Sequence, residues 1–353
     1  MLMLMQLGFL EALYAAATLV ANSLRGELVM ISPQYDYLVF SKSFSQRRLY
    51  QALAFDGVES VGALYMGMGN WKNPESGEER TIWIMGFNPL NPVFDLPGLS
   101  DGLHTIQRQD VVLFDAYSRP EFGPIARMVR DKQRVISEVN GRRIEVGGLF
   151  ELGVSFGANG NLITSDQNFL RLFGRHEGVV DIGLIRLKPG ADPGRVRDQL
   201  SAALPKDVRV LTRAKFVQLD KDYWGEHSAI GFIFALGTAM GLIVGAVIVY
   251  QILYTDVTDH LSEYATLKAM GYANSYLFSI VLQEALILSV MGFLPGFAIA
   301  QALYVVTYKA TLLPMFMTTG RALMVFGLTV GMCGGSAALA MRKLKSADPA
   351  DIF

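Results

Sequence analysis

Apolar residues are distributed unevenly along this chain. Three stretches in its last third, residues 230–254, 276–306 and 322–341, are nearly free of charge, and each approaches the roughly 20 residues a helix needs to cross a bilayer. The first is long enough to span with tilt. Pro295 and Gly296 interrupt the second; a proline there removes a backbone hydrogen bond and predicts a kink, or a helix that stops and restarts near the membrane face. At the other end, residues 1–10 are apolar, and Leu10, Leu13, Tyr14, Ala17, Val20, Ala21 and Leu24 then recur at helical spacing with Glu11, Thr18 and Asn22 between them. No lysine or arginine precedes this run, as a signal peptide or cytoplasmic anchor requires. The pattern predicts a helix leaving the membrane, with residues 1–9 the last part of a first span whose beginning is not in this chain. The alternative, one complete span over 1–24, sets Glu11 near mid-membrane, which costs about 2.5 to 3.5 kcal/mol.

The region between reads differently. Residues 36–40, 60–65, 81–87 and 110–114 are short runs of Val, Ile, Leu and aromatic residues bounded by Gly, Pro, Asn or Asp, and predict strands. Residues 134–139 and 142–147 flank Asn140-Gly141, a pair suited to the positive φ of a tight hairpin turn. A strand-helix-strand unit follows. Residues 181–187 form its first strand, Asp192 caps the helix with Pro193 in its first position, Val196 and Leu200 supply its buried face, and residues 208–211 return. Strict alternation of strand and helix is lacking, so the region reads as α+β.

Charge sharpens the division. The chain of 353 residues is 51% hydrophobic and 18% charged, with a mean hydropathy of +0.31, and most of its charge lies between Arg25 and Glu226. A net charge of -1 supplies no basic field for phosphates, which argues against nucleic acid as a partner. Cys333 is the one cysteine, so the charged region forms no internal disulfide. Arg342, Lys343 and Lys345 after the last span favour a cytoplasmic C-terminus. Counting back sets residues 255–275 in the cytoplasm and the charged region outside it, although Lys309 and Arg321 on the outer side dilute the signal.

Gly153-Val154-Ser155-Phe156-Gly157 fits the nucleophile-elbow pattern, but that chemistry needs a helix after the serine. Ala158-Asn159-Gly160-Asn161 is turn chemistry instead. The four histidines are too scattered for a metal pair at helical spacing, and no phosphate-cradling G-x-x-x-x-G-K-[ST] loop exists, so ATP hydrolysis belongs to another chain. No metal site is expected. Gly237, Gly241 and Gly245 in the first C-terminal span, and Gly327, Gly331 and Gly335 in the last, form doubled G-x-x-x-G steps that let another helix approach closely; Gly292 and Gly296 add a single step. Residues 255–271 predict a short amphipathic helix: Asp256, Asp259, His260 and Glu263 fall within one arc, Val257, Leu261 and Tyr264 to one side, and Gly271 at the stop. Such a face either docks on a basic partner or is simply solvated. Gln283 and Glu284 lie inside the second span, where an ionisable group is a functional candidate unless it snorkels to the interface.

The runs Tyr250-Gln251-Ile252-Leu253-Tyr254-Thr255-Asp256-Val257, Glu263-Tyr264-Ala265-Thr266-Leu267-Lys268-Ala269-Met270-Gly271-Tyr272, Gln283-Glu284-Ala285 and Asp348-Pro349-Ala350-Asp351-Ile352-Phe353 resemble the DevC permeases of cyanobacterial DevBCA exporters. These belong to the FtsX-like and MacB-like permease superfamily. Residues 162–166 and 187–192 share the resemblance. It implies an α-helical membrane bundle with an inserted α+β, MacB-like extracytoplasmic domain: residues 1–24 the end of the first helix, 25–229 the periplasmic domain, 230–345 the FtsX-like permease domain with a cytoplasmic coupling helix at 255–271, and 346–353 a cytoplasmic tail. It further implies a non-catalytic permease subunit, a homodimer in the inner membrane. Its partners are a separate DevA-like ATPase that binds ATP and Mg, a DevB-like periplasmic adaptor and an outer-membrane TolC-like channel. No cofactor is expected on this chain. Asp256, Asp259, His260, Glu263, Tyr264 and Lys268 are then the ATPase-coupling residues, and the cargo is lipid-like, of the glycolipid kind. Two rivals share the architecture: an FtsX-like regulator of a cell-wall hydrolase, and a lipoprotein-releasing permease.

Overall fold

A computed structural model describes residues 1–155 and 157–346. Phe156, residues 347–353 of the tail read over 346–353, and the side chains of Arg342, Lys343 and Lys345 lie outside the described residues. The chain divides into two compact units: Leu13–His227, and Met1–Ala12 joined to the chain from Ser228 onward. The strands are β1 (Leu28–Ile31), β2 (Phe44–Ser45), β3 (Val58–Lys72), β4 (Glu79–Phe87), β5 (Val111–Asp115), β6 (Val135–Val139), β7 (Arg142–Phe150), β8 (Asn161–Ser165), β9 (Val179–Val180), β10 (Ile182–Leu187) and β11 (Arg209–Thr212). The helices are α1 (Leu2–Asn22), α2 (Arg47–Leu53), α3 (Leu99–Gly102), α4 (Ile125–Arg130), α5 (Asp166–Phe173), α6 (Pro193–Ala203), α7 (Arg213–Asp222), α8 (Ala229–Asp259), α9 (Leu261–Ala269), α10 (Asn274–Thr311) and α11 (Thr319–Ser346).

Nine strands of the first unit form one sheet in the order β11-β1-β10-β3-β4-β8-β5-β7-β6. The long strand β3 serves two partners in turn. Its first half pairs antiparallel with β10, Ser60 opposite Arg186 and Leu64 opposite Ile182; its second half pairs with β4, from Leu64 opposite Phe87 to Lys72 opposite Glu79. At the far end Trp71 and Lys72 also meet Val139 and Glu138 of β6, so that β3-β4-β8-β5-β7-β6 close on themselves. Apolar clusters cover both faces. Along β4, Ile82 and Ile84 fall in one cluster and Trp83, Met85 and Phe87 in the other; Leu28 and Met30 divide from Val29 and Ile31 in the same way on β1. A strand buried on both faces reads as a continuous apolar run, which is how β1 escapes a search for alternation.

Asn140 and Gly141 turn the β6-β7 hairpin with φ of 51° and 73°, and the Asp192 carboxylate accepts from the Gly194 amide at 2.8 Å to cap α6. One expectation needs correction. The run 36–40 is no strand: it holds a 3-10 turn at Leu38–Phe40, because the flanking rings are engaged elsewhere. The Tyr35 hydroxyl donates to Asp220 at 2.9 Å, and Tyr37 stacks on Tyr223. The strand-helix-strand unit is present as β10, α6 and β11, with β1 lying between the two strands and pairing antiparallel with both. The loop with the nucleophile-like motif is a tight turn hung on buried Asp115, which accepts from the amides of Leu152 and Gly153 and from the Asn161 side chain. Ser155 is buried in it and bridges to Ala158.

In the other unit and the helix leading from it, four helices are long and apolar enough to cross a membrane: Leu2–Asn22, Ala229–Asp259, Asn274–Thr311 and Thr319–Met341. α1 is one continuous helix through Glu11, as the helical spacing from Leu10 to Leu24 predicts. α10 likewise continues past Pro295 without stopping and restarting; the proline forfeits only the bond to the Met291 carbonyl, a loss a helix in a bundle absorbs.

Asp220 makes the sheet-rich unit sensitive to pH. Its side chain is buried on α7, and burial pushes its carboxyl up to about 7 against the opposing pull of the Tyr35 hydroxyl and the Leu38 amide. The folded value lies above the ordinary 3.8, so the unfolded chain ionises first. The contribution of this group is therefore fully present below about pH 4 and is lost as pH rises through about 7. The full chain, unfolded by urea in detergent and followed by tryptophan emission, should lose on the order of a few kcal/mol between those limits relative to Asp220→Asn. Parallel pH profiles for the two proteins would exclude this assignment.

Candidate functional site

The turn joining α8 to α10 gathers most of the polar side chains that the sequence singles out. It is not one helix over 255–271. α8 carries Asp256 and Asp259 in its last turn, the backbone leaves the helix at His260 (φ -100°, ψ 18°), and α9 restarts at Leu261 with Glu263 in its first turn. The break has an electrostatic reason: acidic residues are unfavourable at a helix C-terminus and favourable at an N-terminus. Asp256 and Asp259 oppose the helix dipole, and a new start beside them sets Glu263 where the dipole favours it. His260 spans the join. Its Nδ1 lies 3.0 Å from the Asp256 carbonyl oxygen and 3.5 Å from the Asp256 carboxylate, while the amides of Glu263 and Tyr264 donate to its carbonyl, each at 3.1 Å. The Asp256 carbonyl, then the charges of Asp256, Glu263 and Asp259, raise the imidazole above its ordinary value.

Beneath this polar rim the turn is apolar. Val257 and Tyr264 are buried in one cluster with Leu253, Leu277, Val281, Ala285, Cys333, Ala337, Ala340 and Met341, and Ala265 is buried as well. The carboxyl of Glu284 on α10 lies beside that of Asp256. Burial, followed by the charges of Asp256, Glu284 and Glu263, pushes the Tyr264 phenol up. The structure thus brings together Asp256, His260, Glu263, Tyr264 and Glu284. Asp259 is exposed, Gln283 is exposed on α10, and Lys268 is half-buried near the end of α9. Met270 (63% exposed), Tyr272 (45%) and Tyr276 (47%) add an open apolar patch beside the acids.

The two glycine faces differ. A Cβ on Gly237 would overlap Gln6, and one on Gly241 would sit 3.3 Å from Leu2 and 3.4 Å from Met3, so both glycines admit α1; Gly245 admits Met332 of α11. At Gly327, Gly331 and Gly335 nothing of the described residues lies within 4 Å. α11 reaches its neighbours by other positions, with the Ser336 hydroxyl donating to the Ala246 carbonyl at 3.0 Å and Gly334 facing Leu282.

Residues 229–349 match the FtsX-like permease C-terminal family. The match takes in α8, the turn through α9, and α10, and it supports a place for the chain among FtsX-like and MacB-like permeases. The macrolide export ATP-binding/permease protein MacB of Bdellovibrio bacteriovorus is 25% identical over 229 residues, which cover 61% of this chain and 34% of that protein; the chain spans about a third of the length of this curated relative. Among solved structures, the periplasmic region of MacB from Actinobacillus actinomycetemcomitans is similar with a TM-score of 0.40 and 10% identity, covering 56% of this chain and 94% of that one. The extracellular domain of the noncanonic ABC-type transporter YknZ from Gram-positive bacteria gives 0.36 and 14%, covering 53% and 99%.

One cluster in the permease unit was not expected from sequence. Arg321, at the start of α11 and 5% exposed, forms an ion pair with Glu11 of α1. It also donates to the Tyr304 hydroxyl of α10 at 3.0 Å and to the Phe316 carbonyl at 3.1 Å, and Tyr304 in turn donates to the Leu4 carbonyl. Gly8 makes the room, since a Cβ there would overlap the Tyr304 ring. The cost assigned to Glu11 from sequence is offset by this partner, and the only sequence signal was that an acid on one apolar helix and a cation on another each call for a mate.

The glycine geometry separates two substitutions of the same kind. Gly241→Leu should drive α1 off α8 and lower the stability of the isolated chain by about 1–3 kcal/mol, whereas Gly331→Leu should leave it within about 0.5 kcal/mol of wild type. Thermal unfolding of the monomer in detergent reads both; equal losses at the two positions would show that α1 does not seat on that face.

Proposed function

We propose that this chain is the permease subunit of an ATP-driven exporter of the DevC type, set in the inner membrane with its sheet-rich unit in the periplasm. The match of residues 229–349 to the FtsX-like permease family carries this reading, and the DevC-like runs around the α8–α10 turn give the finer assignment. The ATPase, with its ATP and Mg, is a separate chain; a periplasmic adaptor, an outer-membrane channel and a second copy of this permease complete the assembly. The cargo is lipid-like. The chain performs no bond chemistry and passes on motion.

The turn is built for that role. α9 rests on a cluster to which α8, α10 and α11 all contribute, so a push on α9 reaches the ends of three spans. Asp256, Tyr264 and Glu284 lie partly or fully buried at the join; His260, Asp259 and Glu263 face outward, and Lys268 closes the helix. The exposed acids and the Met270, Tyr272 and Tyr276 patch form a surface for an ATPase groove with basic residues at its rim.

A single exposed charge pair contributes about 0–1 kcal/mol, so reversing two should matter more than reversing one. Asp259→Lys combined with Glu263→Lys should leave the permease inserted and folded, yet reduce co-purification of the ATPase or release its hydrolysis from control by the permease. Unaltered capture of the ATPase and export at the parental rate would mean that this face is only solvated.

A further inference from the structure

The sheet-rich unit contains an aromatic cluster that the export function does not use. The chain enters this unit at Leu13 and leaves it at His227, and these two ends lie side by side, since a Cβ on Gly225 would run into the ring of Tyr14. The Leu13 end lies within α1 and the His227 end leads into α8, both helices long and apolar enough to cross a membrane. This end of the unit is therefore the one held against the bilayer surface, and the inference rests on reading those helices as spans.

Rings converge on the same end from distant parts of the sequence. Tyr37 stacks on Tyr223 with centroids 4.3 Å apart and an interplanar angle of 20°. It meets Trp224 edge-on at 5.2 Å and Phe40 at 5.3 Å. The loop carrying Tyr37 and Phe40 is tied to α7 by the Tyr35–Asp220 hydrogen bond and by Tyr35 against Phe216, 5.4 Å between centroids. Phe40 ends the 3-10 turn and is 64% exposed. Lys42, two residues on, is exposed as well.

A solitary exposed phenylalanine is ordinary on a protein surface. An exposed phenylalanine backed by two tyrosines and a tryptophan, at the point where the chain enters lipid, fits a more specific environment. Tyrosine and tryptophan favour the membrane–water interface because one end of each ring system is apolar and the other accepts water, and a phenylalanine beside them can enter the acyl boundary. We propose that Tyr37, Phe40, Tyr223 and Trp224 form an interfacial seat by which the sheet-rich unit rests on the bilayer, with Phe40 inserted at the headgroup–acyl boundary and Lys42 available to lipid phosphates. Because the loop follows β1 and its ring partners follow α7, the seat fixes the height of these two elements above the membrane.

Spin-label depth measurements on the full chain test this. With Cys333 replaced by Ala, a nitroxide at Ser41→Cys is compared with labels at Ile243→Cys, on the lipid-exposed side of α8 (55% exposed), and at Asp56→Cys, where the side chain is fully exposed (103%). The protein is reconstituted in vesicles of phosphatidylethanolamine and phosphatidylglycerol. The label at 41 should be more accessible to oxygen than to a water-soluble nickel chelate and report a depth of about 5–10 Å into the headgroup–acyl boundary. Adding Phe40→Asp should return it to the aqueous profile of the label at 56. A label at 41 that behaves like 56 while 243 lies deep in lipid overturns the seat and leaves the spans intact, with the aromatic loop then free to meet a protein. A depth at 41 unchanged by Phe40→Asp overturns the role given to Phe40. An aqueous profile at 243 removes the spans, and the seat with them.

Discussion

Hydrocarbon offers no hydrogen-bond partner to a backbone amide, so a chain that crosses it must satisfy every such group internally or against a neighbour. That requirement shapes the permease unit. It explains why α10 runs for 38 residues without interruption past Pro295, and why the side chains that break the apolar rule come in sets. Glu11 is met by Arg321, and Arg321 by Tyr304 and Phe316. Where close approach is required, glycine supplies it, at Gly8 for the Tyr304 ring and at Gly237 and Gly241 for α1. The chain leaves the helical state between α8 and α10 only at one end of the bundle, and there it assembles its exposed acids.

In the sheet-rich unit the governing constraint is a different one: a single strand must serve three partners. β3 is long enough to pair with β10 over its first half and with β4 over its second, then to close the ring through β6. Pairing takes up both of its edges, and Leu64, Tyr65, Met66 and Trp71 are buried, while Glu59 and Asn70 reach water. The small residues along it have steric work to do, Gly67 making room for Phe173 and Phe169. Charge appears inside only where it is answered, as with Asp181, which takes two bonds from Arg175, at 2.8 and 2.9 Å, and one from the Met66 amide. Asp220 is the exception, a carboxyl held with little more than a tyrosine hydroxyl, and its proton affinity records that.

Much of this was legible in advance. The C-terminal spans follow from uncharged length alone, the β6-β7 hairpin from Asn140-Gly141, and α6 from Asp192-Pro193, because each signal is local. Features that depend on distant partners were not. The run 36–40 has the composition of a strand, yet Tyr35 and Tyr37 are taken by α7 and the residue that follows it. The interruption at His260 carries no glycine or proline, and helical periodicity continues through it undisturbed; only the opposed preferences of Asp259 and Glu263 for the two helix ends mark the place. Glu11 was judged as an isolated charge, and its energetic position changes once Arg321 is beside it. Of the two glycine faces, one packs within the chain and one does not, a distinction invisible to a motif that is the same in both.

The bond between Tyr304 and the Leu4 carbonyl links positions 300 residues apart. At a translation rate of about 5–20 residues per second, the first helix therefore waits roughly 15–60 s for its mate to be synthesised. During that interval Glu11 has no arginine to meet. The nascent helix must stay near the interface, where its carboxylate can reach water, or be sheltered by the insertion machinery until the last span arrives. Assembly of the bundle is thus ordered in time: α1 can meet α8 at Gly237 and Gly241 first, while its bond to Tyr304 and its ion pair with Arg321 close only once α10 and α11 have been made.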